Sequence, residues 1–439
     1  MAAIEISTAS GLNDIRLSLA ADYILTADID LAGYANWEPI GTQAAPFTGT
    51  LDGNDYTISN LTIDRATTDY IGLFGYCQFN NSVKIPNLKN IKITGADVTG
   101  QDYVGIVAGY IGTTLGSTGD ATAAGSPAVG TIISGCTTSG TVSGRSNVGG
   151  IFGMAQGPLF AGQVMSENVC NYIIWDYWIG RITGLSSSTV ITGSGENIGG
   201  LIGQLCELSI RMSNATGAVS GGDVVGGIIG FGYRCDIKTC YTTGNITGTK
   251  RVGGIIGVAN YRPMIEYCYT EGNITGSGGE LPGPASPNVA GVGGIVGVTD
   301  ADHVWFCYSK GNISAVYRAG GLIGAYIGGT FSNHNIAYAY ARGNITVSGE
   351  QVGGLIGYVW ASTVGLLECY CTGEVTGRYS GAIIGYRGFY DDIPQMRPTK
   401  ESADSWWNSH MGHYPLLGKG EDSRGYRDRN NRILFRYIF

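Results

Sequence analysis

Five tyrosines, Tyr241, Tyr269, Tyr308, Tyr340 and Tyr370, follow one recurring chain position by a single residue, and that position is held by Cys240, Cys268, Cys307 and Cys369. Side chains alternate between the two faces of an extended strand, so inward cysteines imply outward tyrosines stacked along one face. Flat aromatic rows suit the apolar C–H faces of sugar rings, and each phenol keeps a hydroxyl for hydrogen bonding. Two other roles fit the same row: a stack that only stabilises the fold, and a contact between chains. A looser set, Tyr76, Tyr110, Tyr233, Tyr261, Tyr326, Tyr358 and Tyr386, recurs close to a second repeated motif and predicts another row near a corner.

Other residue types offer less. A glycosidase needs two carboxylates converging on one groove. The weak candidates are Asp300 with Asp302, Glu266 beside Asp300 or Glu368, and Asp391 with Asp392, each read more simply as a solvated corner or loop. His410 and His413 form the only paired histidines, and packing with Trp406 and Trp407 explains them better than a metal. Ten widely scattered cysteines make no zinc pattern, and those at the repeated position read as a buried ladder of inert thiols. No metal and no cofactor is expected. Asn214, Asn245, Asn273, Asn312 and Asn344 all stand in Asn-x-Ser/Thr triplets, and their recurrence suggests a corner asparagine ladder rather than glycosylation.

What positions these residues is a repeat. The hexapeptide Val252-Gly253-Gly254-Ile255-Ile256-Gly257 recurs at 148–153, 198–203, 225–230, 292–297, 319–324 and 352–357, with weaker copies ending at Gly75, Ala108 and Gly385. Successive copies end 27 to 50 residues apart, so a unit of about 27 residues carries insertions of variable length. Each unit offers three short runs of β-branched and aromatic residues between Gly and Asn corners, and no run periodic enough for a helix. Three strands per unit predict an all-β protein, a right-handed parallel β-helix of about ten coils. At roughly 4.8 Å per coil the rod would be on the order of 50 Å long.

The hexapeptide followed by Cys-Tyr-x-x-Gly-Asn-Ile-Thr-Gly resembles the GLUG-motif repeats of bacterial surface proteins and related phage proteins. The block from Phe47 to Ile63 is similar to the segment that precedes those repeats. His413-Tyr414-Pro415-Leu416-Leu417 is similar to the Gly-Tyr-Pro-x-Leu segment that follows them, with His413 where Gly is common. The resemblance covers residues 20 to 417. It implies the β-helix and a surface setting, but no catalytic motif.

Composition narrows the partners. Gly supplies 73 of 439 residues and charged residues only 14%, which suits tightly stacked coils. A net charge of −8 argues against nucleic acid, whose phosphates need a basic surface. No apolar run reaches the 18 to 20 residues of a membrane span. The first residues lack the basic and apolar regions of a signal peptide, so the expectation is cytoplasmic assembly, as for a phage structural protein, or a leader already removed.

Three regions follow. Residues 1–65 form an N-terminal cap with opening strands, including a short helix within 4–19, and protect an otherwise open sheet edge. Residues 66–390 hold the coils, with insertions at 112–127, 155–181 and 277–290. Residues 391–439 form a C-terminal segment, aromatic then basic, whose apolar end from Ile433 to Phe439 should be buried against the rod or a neighbouring chain. The expected function is non-enzymatic: an adhesion or receptor-binding protein recognising surface glycan on a phage tail or bacterial surface, assembled as a homo-oligomer or docked on a larger particle. The alternatives are a polysaccharide depolymerase and a self-assembling scaffold.

Overall fold

A computed structural model describes residues 2–80, 87–114, 131–159, 180–261, 263–279, 289–300, 303–327, 336–360, 364–387 and 436–437. The chain divides into two compact units, Met1–Asp236 and Ile237–Phe439, at a boundary that falls within the repeats. Among the described residues both are all-β apart from the helix Ala9–Asn13 and the 3-10 turn Asp14–Leu17, and both are built from long parallel sheets.

In the first unit the strand Ile4–Ile6 pairs in parallel with Asp22–Leu25, so the opening residues already belong to a sheet. That sheet continues in parallel through Thr50–Asp52, Leu88–Lys89, Thr131–Ser134, Gly180–Thr183 and Leu208–Arg211. Thr8 caps the short helix, its hydroxyl accepting the Gly11 amide at 3.0 Å, and Leu12 and Ile15 are buried beneath the chain start. Another sheet stacks Phe74–Asn80, Ala108–Thr114, Phe152–Leu159, Ile202–Cys206 and Ile229–Tyr233.

The second unit repeats the plan. A first sheet runs through Met264–Glu266, His303–Trp305, Ile336–Ala337 and Leu366–Leu367, all parallel. Arg436–Tyr437 then pairs antiparallel with Leu366–Leu367, closing an edge that would otherwise present unpaired backbone groups. A second sheet begins with Tyr241–Thr242, Tyr269–Thr270, Tyr308–Ser309, Tyr340–Ala341 and Tyr370–Cys371. A third carries Ile256–Asn260, Val296–Thr299, Ile323–Tyr326, Ile356–Val359 and Ile384–Arg387.

The hexapeptide is the hinge of each coil. Val292 and Gly293 end a strand of the second sheet, Gly294 and Ile295 turn, and Val296 starts the third. None of its three glycines has room for a side chain, Gly293 being closed off by the Val296 carbonyl. A Cβ on Gly294 would overlap the Gly321 carbonyl of the next coil, and one on Gly297 would sit 2.5 Å from the Gly257 carbonyl of the previous coil. The interior is filled by repeated aliphatics, including Ile265 and Val304 from the first sheet, Ile274 and Ile313 from the second, and Ile295 and Leu322 at the turn, all no more than 2% exposed.

Candidate functional site

The stretch from Thr242 to Gly248 in the second sheet of the second unit alternates between buried and exposed residues. Thr242, Ile246 and Gly248 are buried, whereas Thr243, Asn245 and Thr247 are exposed. Parallel in-register pairing then copies each position into the next coil. The result is a set of rows on one outer face.

The five sequence-predicted tyrosines form one such row. Tyr241 and Tyr269 stack with centroids 4.8 Å apart, Tyr269 and Tyr308 at 4.8 Å, Tyr308 and Tyr340 at 5.0 Å, and Tyr340 and Tyr370 at 4.9 Å. Interplanar angles of 2° to 16° mean that ring faces are spent on neighbouring rings. Tyr308 and Tyr340 are only 6% and 7% exposed, while Tyr241, Tyr269 and Tyr370 are half-buried. Burial, with Tyr241 and Glu271 nearby, pushes the Tyr269 phenol up to about 12. A row packed this way offers a ligand ring edges and hydroxyls rather than open faces.

Beside it runs an asparagine ladder. The Oδ1 atoms of Asn245, Asn273 and Asn312 accept the backbone amides of Asn273, Asn312 and Asn344 at 3.0 to 3.1 Å, and Asn344 accepts that of Glu374 at 2.9 Å. Asn214 does not belong to this ladder; it stands beside Ser186, whose hydroxyl donates to Asn214 Oδ1 at 3.0 Å. Thr247, Ser314, Thr346 and Thr376 extend the exposed polar rows one step further.

Sequence reasoning missed a second aromatic stack. Tyr267, Phe306 and Tyr338 lie on the other side of the Cys position, with centroids 4.8 and 4.9 Å apart and planes within 6°. Each follows a first-sheet strand directly and adopts positive φ, 56°, 55° and 52°. In the first unit the residues that follow first-sheet strands in this way are Asn90, Gly135, Gly184 and Met212, also at positive φ. Asn and Gly are the residues that conformation favours; a bulky side chain there costs roughly 1–2 kcal/mol. An aromatic stack contributes about 0.5–1.5 kcal/mol per pair, so the trio gains little net stability. The signal was available: an aromatic stands two residues before the ladder tyrosine in Tyr267-Cys268-Tyr269, Phe306-Cys307-Tyr308 and Tyr338-Ala339-Tyr340.

The predicted looser row splits. Tyr76 and Tyr110 do stack, at 4.3 Å, in a first-unit cluster with Tyr70 and Tyr103. Tyr326 and Tyr358 occupy different registers, Tyr326 pairing with Val359 and Tyr358 with Ala325, and both are buried. Of the acidic candidates, Asp300 accepts the Tyr261 backbone amide on Oδ2 at 3.1 Å, while Asp302, Asp391 and Asp392 lie outside the described residues, as do Trp406, Trp407, His410 and His413. Among the described residues no group of His, Cys, Asp or Glu is placed to hold a metal ion.

The Cys ladder is interior. Cys240, Cys268, Cys307 and Cys369 are buried free thiols, each donating to the carbonyl two residues back at 3.2 to 3.4 Å. Burial pushes the Cys136 and Cys369 thiols up to about 12 and raises the Cys268 thiol well above its ordinary value. At pH 8 a thiol of pKa 12 is roughly one part in ten thousand thiolate. All four are buried, so iodoacetamide on the native protein is expected to leave them unmodified, and modification mapped to them by mass spectrometry before unfolding would contradict the buried ladder.

No family model matches the chain. Over 157 residues, 35% of this chain, it is 34% identical to halomucin of Haloquadratum walsbyi, covering 2% of that protein. Over 118 residues, 25% of this chain, it is 36% identical to an Evansella cellulosilytica protein provisionally named a Gly-rich membrane protein, covering 13% of it. The chain thus matches only a small part of either relative. A solved Bacteroides ovatus protein provisionally described as an immunoglobulin A1 protease aligns with 68% of this chain and 84% of its own, at TM-score 0.47 and 24% identity. No helix among the described residues is long and apolar enough to cross a membrane.

Proposed function

We propose that this chain is a non-enzymatic adhesion or receptor-binding protein that recognises surface glycan. In this reading it is a right-handed β-helix of about ten coils, of the GLUG-motif type. The observation that carries it is the row structure of the second unit: tyrosine, asparagine and threonine rows repeat side by side at coil spacing on one outer face. A polymer of repeated sugars meets such a face with many weak, equivalent contacts, and several copies displayed together raise the avidity. Of the two settings, cell surface and phage tail, the names of the relatives support the cell surface.

The test is retention of the protein on immobilised capsular and cell-wall polysaccharides, with polymer length followed over time. Retention without shortening is expected, weakened about tenfold by Thr247→Glu with Thr346→Glu, which place charge on the exposed rows. Shortening abolished by Asp300→Asn or Asp391→Asn would make the protein a depolymerase. Retention of no polymer by the native chain would overturn the reading.

A further inference from the structure

The Tyr267–Phe306–Tyr338 corner is an unusual place to find three consecutive aromatics. Phe306 is 37% exposed, and its two neighbours are half-buried. The positive φ of all three disfavours bulky side chains, and other coils make the same turn with Asn90, Gly135, Gly184, Met212, Thr239 and Glu368, none of them aromatic. Backbone strain that stability does not require is characteristic of recognition sites. Here one strained residue, Phe306, is exposed and the other two are half-buried.

Charge around the corner identifies its occupant. Lys238 Nζ lies 5.4 Å from the Tyr267 ring centre but is held 2.6 Å from Glu266. Lys310 Nζ lies 5.2 Å from the Tyr308 ring centre and 3.0 Å from Glu271. Both ammonium groups are thus paired with carboxylates of the same surface. Exposed Arg342, 5.1 Å from the Tyr340 ring centre, shares the face with exposed Glu374, so the charge is mixed rather than the strong positive field that a polyanion needs. What remains is a ridge of ring edges, apolar at Phe306 and hydroxyl-bearing at Tyr267 and Tyr338, with exposed Thr243 and Glu271 on the adjoining face. Rings locked by stacking lose little freedom on binding.

We propose that this corner is the primary contact for a neutral polysaccharide, lying along the stack with its apolar sugar edges on Phe306 and its hydroxyls on Tyr267 and Tyr338. The site rests on the glycan-recognition reading and narrows it to the polymer class and the residues. It moves the binding centre off the five-tyrosine row, whose middle members are buried.

The test is affinity electrophoresis of the full chain in gels containing neutral polysaccharides (dextran, galactan, galactomannan) or acidic ones (polygalacturonate, alginate). Phe306→Asn installs a residue this corner accepts, so the melting temperature should hold or rise. Retardation by the neutral polymer should weaken at least tenfold. Two results would overturn the corner site while leaving glycan recognition intact: retardation by acidic polymers alone, or neutral retardation unchanged in Phe306→Asn but lost in Thr247→Glu with Thr346→Glu. A large fall in melting temperature with retardation unchanged would make the stack structural and also overturn the site. Retardation of the native chain by no polymer would remove the glycan reading itself.

Discussion

Gly294→Ala is expected to cost the second unit about 3–5 kcal/mol, at the top of the range for single substitutions. The added Cβ would overlap the Gly321 carbonyl oxygen and come within 2.5 Å of Ser309 Cβ. Neither neighbour is the free end of a flexible side chain. Gly321 is the equivalent glycine of the next coil, and its own backbone is fixed by the Leu322 amide donating to Leu355 O at 2.9 Å. Relief therefore requires spreading the coils, which breaks parallel pairing on both sides of the turn. In a stacked repeat each coil is stabilised by its neighbours, so the damage spreads along the unit. The control is Gly279→Ala, where no atom lies within 4 Å of the new methyl; its cost should stay below about 0.5 kcal/mol. Thermal unfolding followed by circular dichroism separates the two variants. A Gly294→Ala protein that melts with the native one would mean that the glycine is not required by packing.

That glycine shows why so much of the architecture was legible. A turn with no room for a Cβ is written with Gly, so the hexapeptide recurs at most coil turns, with Ile106 and Ala382 in place of the second glycine in two weaker copies. The parity of Cys268 and Tyr269 was legible for a similar reason, since neighbours on a strand must face opposite sides and Cys268 is fully buried. The same parity explains the failed second row. Tyr326 stands two residues after its hexapeptide and Tyr358 one, so the two cannot share a face or a register. Tyr267, Phe306 and Tyr338 were hidden for the opposite reason. Corners are expected to carry Asn or Gly, and aromatics at that point read as strand residues until their φ values place them in a turn. The unit boundary at Asp236 left no mark either, because the hexapeptide continues across it at its shortest spacing, from Gly230 to Gly257.

The tyrosine row yields a second large effect, and its profile along the row discriminates between roles. Tyr308 is 6% exposed and sandwiched between Tyr269 and Tyr340. Tyr308→Ala removes a buried ring and two stacked faces, and a loss of about 3–4 kcal/mol is expected. Tyr241 is half-buried, and Tyr241→Ala should cost only about 1 kcal/mol. A row kept for stability should therefore be most sensitive at its centre, and a double-mutant cycle between Tyr269 and Tyr308 should give a coupling of about 0.5–1.5 kcal/mol. Tyr308→Phe preserves both stacked faces and should cost no more than about 1 kcal/mol. Equal losses at Tyr241 and Tyr308, measured by denaturant unfolding, would count against the ladder. Glycan retention by the half-buried end variants Tyr241→Ala and Tyr370→Ala then supplies the other half. If the row is scaffolding for the exposed corner beside it, these variants retain polymer as the native chain does, because Phe306 and its neighbours are untouched. If the row is itself the contact, retention falls with little loss of stability. Stability at the centre and binding at the ends are thus separate readings of the same five residues.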